Sequence, residues 1–109
     1  MRFYRDEDLV FFVFGPETYA KGNHLNVRVL GPVNTIPEDT ATGSGNGCLA
    51  AYLVKQRYYG KDEIDIRVEQ GYEIDGRSLL LLRAKKNPGW LDVDVGGRVQ
   101  FVARGEFEK

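Results

Sequence analysis

Pro37-Glu38-Asp39-Thr40-Ala41-Thr42-Gly43-Ser44-Gly45-Asn46-Gly47, followed by the apolar run Cys48-Leu49-Ala50-Ala51-Tyr52-Leu53-Val54, decides the fold. Two carboxylates precede a turn of small residues, and the turn becomes a helix expected over residues 44–59. Lys55 and Arg57 suit the last turns of such a helix, and Gly60 is placed to end it. The first N–H groups of a helix have no partner inside it and carry partial positive charge. Glycines there let a ligand approach the backbone, and Thr42 and Ser44 add hydroxyls, so an anion site at the helix mouth is the simplest functional reading. The first two turns are apolar on nearly every face, which predicts a buried helix wrapped by the rest of the chain. A blander reading stands beside this one. Asp39, Thr42 or Ser44 can simply cap the helix, and the glycines can serve only a tight turn.

Working outward, Leu9-Val10-Phe11-Phe12-Val13-Phe14 is a short apolar run ended by Gly15-Pro16, expected as a strand buried on both faces. The residues before it, 1–8, are polar and charged. Asn26-Val27-Arg28-Val29-Leu30 alternates and predicts a strand with one wet face, stopped by Gly31-Pro32. Beyond the helix, Asp65-Ile66-Arg67-Val68-Glu69-Gln70 alternates and Gly71 suggests a bulge. Asp75-Gly76 signals a hairpin before Ser78-Leu79-Leu80-Leu81-Leu82-Arg83. Asn87-Pro88-Gly89 turns into Leu91-Asp92-Val93-Asp94-Val95, and after Gly96-Gly97 a last strand is expected over Val99-Gln100-Phe101-Val102-Ala103. The C-terminal half thus reads as an antiparallel meander whose apolar face needs a partner, and the helix is the obvious one.

The chain has 109 residues, 42% of them apolar, which suits one domain with a core of modest size. A net charge of -1 gives no reason to expect nucleic acid or an acidic membrane surface as partner. No apolar run approaches the length of a membrane span, and Met1-Arg2-Phe3-Tyr4-Arg5-Asp6 does not read as a signal peptide, so a soluble cytoplasmic protein is expected. One cysteine excludes an internal disulfide and a cysteine-rich metal site.

The chemistry-bearing residues narrow the choice further. Gly43-Ser44-Gly45-Asn46-Gly47 lacks the Gly-Lys-Ser/Thr ending of a P-loop and has no strand leading directly into it, which argues against a nucleotide site. Cys48 is expected as a small core residue rather than a reactive thiol. His24 lies in a polar loop with no second histidine, so it reads as solvated and no metal is expected. Trp90 and the tyrosines are expected to pack rather than stack on bases. Glu38 and Asp39 are neighbours and in extended chain point to opposite sides. One can face the helix mouth while the other meets water or a basic partner. A carboxylate beside anion-binding donors can serve as general acid or base.

Glu38-Asp39-Thr40-Ala41-Thr42-Gly43-Ser44 resembles the Glu-Asp-Pro-Ala-Thr-Gly-Ser signature of the phenazine-biosynthesis PhzF-like family, within the diaminopimelate-epimerase-like superfamily. The likeness continues through Leu49-Ala50-Ala51-Tyr52-Leu53, Val68-Glu69-Gln70-Gly71-Tyr72-Glu73 and Gly76-Arg77-Ser78-Leu79. It resumes from Val95-Gly96-Gly97-Arg98 to Val102-Ala103-Arg104-Gly105-Glu106. The resemblance implies an α+β fold in which an antiparallel, barrel-like sheet wraps one central helix. Two such domains normally flank a cleft, with both helix N-termini pointing into it. It implies proton transfer on a small substrate, by a glutamate of the first domain, while the second-domain aspartate and the residues after it hold and polarise that substrate. Carried over, Asp39 and Ser44 are the expected catalytic residues and Thr42, Gly43 and Gly45 the expected substrate contacts, with no cofactor and no metal.

Departures from the family pattern shape the expectation. The chain corresponds to the later part of such a protein, a single partial domain over residues 1–109, without the glutamate-bearing first domain or the strand and helix that usually open the second. Thr40 replaces a common proline, and Gly45-Asn46-Gly47 replaces an Ala-Ala-Gly type of turn. In the superfamily's two-thiol epimerases a cysteine precedes the glycine, where this chain has Thr42, so two-thiol racemisation is not expected. The chain is therefore expected to be the C-terminal portion of a PhzF-like isomerase for a small carboxylate-bearing molecule, inactive alone. It would be completed by a separate chain carrying the N-terminal domain or by a second copy of itself. The alternative is a degenerate, non-enzymatic binding or self-associating domain. In either case the uncovered edge of a partial sheet is expected to drive association, as a dimer or a hetero-complex.

Overall fold

The structure, a computed structural model, describes residues 10–31 and 38–108. The polar start over residues 1–8, together with Leu9, Pro32 and Pro37, lies outside the described residues. In chain order the elements are β1 (Phe11–Gly15), β2 (Leu25–Leu30), β3 (Glu38–Asp39), α1 (Gly43–Lys55), β4 (Glu63–Gln70), a 3-10 turn (Tyr72–Ile74), β5 (Ser78–Asn87) and β6 (Trp90–Gly97). The strands form one six-stranded sheet in the order β1-β2-β4-β5-β6, with the short β3 also pairing with β2. Every pairing is antiparallel except β2 with β4. Two parallel neighbours cannot be joined by a tight turn, so the chain must cross over between them, and α1 lies on that crossover.

The expected α+β class is what the chain adopts, with the helix laid on one face of the sheet. The alternation in β2 and β4 explains which face. Leu25, Val27, Ile64, Ile66 and Val68 point inward, joined by Leu80, Leu82 and Ala84 of β5, and they close over Leu49, Ala50, Leu53 and Val54 of α1. The β4–β5–β6 meander matches the expected one, and Asn87 pairs with Trp90 across the Pro88-Gly89 turn. The sheet is not closed.

Four expectations are corrected. The helix is not buried all round: Tyr52 is 51% exposed, and Cys48, expected in the core, is exposed. A sheet that packs against one side of a helix leaves the other side open, whatever its composition. The helix also ends at Lys55 rather than near residue 59, because Arg57 already has a left-handed backbone with φ of 52°. β1 is not buried on both faces. It is an end strand of the sheet, and although Phe12 and Phe14 pack on the core, Phe11 and Val13 are exposed. Finally, residues 98–108 form no strand and are exposed, with Val99, Phe101, Val102 and Phe107 in the open. Alternation predicts a strand only where a second strand receives its N–H and C=O groups, and none among the described residues lies beside this segment.

The difference between the two helix faces sets a measurable contrast. Leu53→Ala, at a fully buried position, should lower unfolding free energy by about 2–5 kcal/mol in urea titrations. Cys48→Ala should stay within about 0.5 kcal/mol of the parent. Equal losses at the two positions would mean that the open face of α1 is covered.

Candidate active site at the start of the helix

β3 brings Glu38 and Asp39 beside the end of β2, with Val29 opposite Asp39 and Leu30 opposite Glu38. Consecutive residues of an extended segment face opposite ways, and the two carboxylates separate as anticipated. Glu38 turns to Arg28, which donates to it twice, Nη2 to Oε1 at 2.6 Å and Nε to Oε2 at 3.2 Å. This bidentate pair holds the Arg28 guanidinium still more firmly protonated than usual. Glu73 stands 3.8 Å from Arg28 on the same side. Asp39 turns instead to the helix start, where the Thr42 hydroxyl donates to its Oδ2 at 2.5 Å.

Thr42 occupies the N-cap position, with extended backbone at φ of -120° and ψ of 97°, yet no side chain caps the helix. The hydroxyl that would ordinarily accept from the first turn is turned toward Asp39. No acidic side chain lies in the first turn either. The simple capping reading of Asp39, Thr42 and Ser44 is therefore not what the geometry supplies. The N–H groups of Gly43, Ser44 and Gly45 are left at the mouth, where the helix dipole adds partial positive charge. Gly43 and Ser44 are exposed, Gly45 half-buried. Ala41 and Gly43 border a groove of ≈ 1040 Å³ whose other walls include Tyr72, Arg77, Gly97 and Arg98.

Two residues that the sequence reading did not single out build the floor. Gln70, the last residue of β4, and Asn46, in the first turn of α1, are both fully buried. Gln70 Oε1 accepts from the Thr42 N–H at 3.2 Å and from Asn46 Nδ2 at 2.9 Å. Gln70 Nε2 donates to Thr42 Oγ1 at 2.9 Å and to the Asp39 carbonyl at 3.2 Å. Asn46 Nδ2 also donates to the Thr42 carbonyl at 2.8 Å, while its Oδ1 is buried without a partner. An unsatisfied buried acceptor costs about 1–3 kcal/mol, so the site carries a local penalty. The signal available in the sequence was the break in periodicity: Gln70 continues the inward series Ile64, Ile66, Val68, and Asn46 precedes Leu49, Ala50 and Leu53 at helical spacing, both at positions where an apolar residue would pack.

The loop after β4 closes against the segment leading to the helix. Gly71 adopts φ of 82°, and a Cβ there would come within 2.3 Å of the Gly76 carbonyl oxygen. A Cβ at Gly76 would meet the Thr40 methyl at 2.3 Å. Gly71 therefore starts the 3-10 turn and is not a bulge, and the strands around Asp75-Gly76 are joined by residues 71–77 rather than by a two-residue hairpin.

Three comparisons bear on the chain. The family described as "Phenazine biosynthesis-like protein" matches residues 3–105. The crystal structure of the Bacillus anthracis phenazine biosynthesis protein, PhzF family, is similar to this chain with a TM-score of 0.71 and 24% identity. That likeness covers 83% of this chain and 31% of that protein, so the chain spans less than a third of the length of the relative it matches. No curated protein matches.

On the outer face of the sheet, Glu69 does for the residue 16–24 loop what Gln70 does for the helix mouth. It is fully buried and accepts from the N–H groups of Tyr19 and Ala20 at 2.8 and 3.0 Å, and from the side-chain amides of Asn23 and Asn26 at 2.6 and 3.3 Å. Burial pushes its carboxyl up, but the donors of Asn23, Tyr19, Ala20 and Asn26 together outweigh it and hold the group below the ordinary glutamate value. A depressed value means the stabilisation is complete above the unfolded-state value of about 4.3 and is lost as pH falls through the folded-state value. Glu69→Gln, which puts an amide N–H₂ among donors, should cost about 1–3 kcal/mol at pH 7. The gap from the parent should close as unfolding is measured at pH values falling below about 4. A gap independent of pH would show that the carboxylate is not what the loop requires.

Proposed function

The chain belongs to the phenazine biosynthesis-like family, and from that premise we propose that it is the second-domain portion of an isomerase that moves a proton on a small carboxylate-bearing molecule. The observation that carries the reading is a conjunction. An aspartate, Asp39, stands at the mouth of a helix whose first N–H groups no side chain caps, and a groove opens there. In this reading the N–H groups of Gly43, Ser44 and Gly45 and the Ser44 hydroxyl hold the substrate carboxylate, and Asp39 engages a protonatable group of the same molecule. Thr42 contributes its backbone and its hold on Asp39.

Half of the usual chemistry has to come from elsewhere, because a proton shuttle needs a second group on the other side of the substrate. A first domain of the family's kind would supply it. The alternative is a self-associating domain without enzymatic activity. The exposed Phe11 and Val13 of the end strand β1 and the exposed apolar residues of segment 98–108 speak for association in both readings.

Titration of cyclohex-1-enecarboxylate into the chain, followed by amide NMR, tests the site. Shift changes should concentrate at Gly43, Ser44 and Gly45. Ser44→Ala should weaken binding about tenfold, the loss of roughly one hydrogen bond to a charged group. Asp39→Asn removes a negative charge beside the bound carboxylate. It should bind at least as tightly, yet abolish turnover where a first domain completes the cleft. Shift changes that spread away from the helix mouth, with Ser44→Ala binding like the parent, would remove the assignment.

A further inference from the structure

We propose that Gln70 is a positioning residue for Asp39: its side-chain amide sets the direction of the Thr42 hydroxyl, and that hydroxyl commits Asp39 Oδ2, leaving Oδ1 as the oxygen that engages substrate. This rests on the reading of Asp39 as the group that engages substrate, and it adds a residue and a direction to it.

Donors and acceptors decide the direction, and each step has one solution. One end of the Gln70 amide faces the Thr42 N–H, which can only donate, so that end is Oε1. The other end faces the Asp39 carbonyl, which can only accept, so that end is Nε2. Asn46 fixes the same orientation from the far side, since its Nδ2 lies between two acceptors, Gln70 Oε1 and the Thr42 carbonyl. With Nε2 so placed, its second bond runs to Thr42 Oγ1. A hydroxyl has one proton. Accepting from Gln70, Thr42 turns that proton to Asp39 Oδ2, which as a carboxylate oxygen can only accept. The direction thus passes from the main chain at residue 42, through a fully buried amide, to one named oxygen of Asp39.

Two consequences follow. The Thr42 hydroxyl proton is already committed, so it does not donate to a ligand, in contrast to the sequence expectation. A glutamine is also required at position 70. An ionised glutamate offers no donor to Thr42 or to the Asp39 carbonyl, and an apolar residue leaves the Thr42 rotor undirected, whereas a neutral glutamic acid has one proton, enough to direct the Thr42 hydroxyl while its other oxygen accepts from the Thr42 N–H.

The test reads the Thr42 hydroxyl itself, by proton NMR on the full chain, and needs no ligand. The parent should show a Thr42 hydroxyl proton in slow exchange with water. Gln70→Leu should speed that exchange at least about tenfold, the loss of one hydrogen bond's protection. Leu53→Ala, which loosens the core without touching the relay, should leave it near the parent rate while amide dispersion is retained. Gln70→Glu supplies a signature that a structural filler cannot give. The protected hydroxyl should be present at low pH and vanish as the introduced carboxyl, followed by its own carbon signal, ionises. That reversal carries the test if Gln70→Leu does not fold. An unchanged hydroxyl in Gln70→Leu, equal acceleration in Leu53→Ala, or a Gln70→Glu hydroxyl indifferent to pH would each overturn the proposal. Failure of the cyclohexenecarboxylate titration with the hydroxyl behaviour intact would instead overturn the substrate reading alone.

Discussion

The end of β4 governs this structure. Glu69 and Gln70 are adjacent, fully buried and polar, and because a strand alternates, they serve opposite faces of the sheet. The register makes this explicit: Val68 and Gln70 stand beside Leu25 and Val27 on the core side, while Glu69 stands beside Asn26 on the other. Gln70 ties the helix start and Asp39 to the sheet, and Glu69 ties down the loop that joins β1 to β2. Burying two such groups is unfavourable unless each is satisfied. Gln70 makes four hydrogen bonds and Glu69 accepts four. These bonds convert a desolvation penalty into geometric specification, since only one placement of the helix mouth and one of the loop satisfy them.

The same constraint explains why the helix tolerates an uncapped start. In an isolated helix, Thr42 at the N-cap would stabilise the first turn by accepting from it. Here its hydroxyl is drawn to Asp39 and its N–H to Gln70, so tertiary contacts fix the end that local capping would otherwise fix. The first-turn N–H groups are released from that duty. A helix positioned from the side by buried amides can keep its dipole end open to a groove.

Much of this was legible in the sequence, and the limits are physical. Strands β2, β4 and β6 announced themselves because each has a neighbour on the sheet and a core side, so period-two alternation reports real burial, whereas β5 showed as an apolar run after a turn signal. Segment 99–103 carries the same kind of pattern and forms no strand, because pattern records a capacity to pair and not the presence of a partner. Cys48 and Tyr52 were misplaced for a related reason: an apolar helix face is buried only if something covers it. The separation of Glu38 from Asp39 followed from strand geometry alone, but which one faced the helix depended on Arg28, a residue of another strand. Gln70 and Asn46 each break a local period, but they lie 24 positions apart in sequence, so nothing local shows that the two breaks meet.

The open parts of the molecule share an origin with the closed ones. A sheet with this order has two end strands, β1 and β6. β1 presents Phe11 and Val13 outward while its other face is spent on the core. Segment 98–108 leaves β6 with its apolar side chains in the open. Unpaired strand edges and exposed apolar side chains favour association, and the helix mouth lies at a groove walled partly by Gly97 and Arg98, where that segment begins. Whatever covers residues 98–108 therefore also reaches the groove that Gly43, the first residue of the helix, borders. In the proposed reading, completion of the sheet and completion of the site would draw on the same exposed apolar surface.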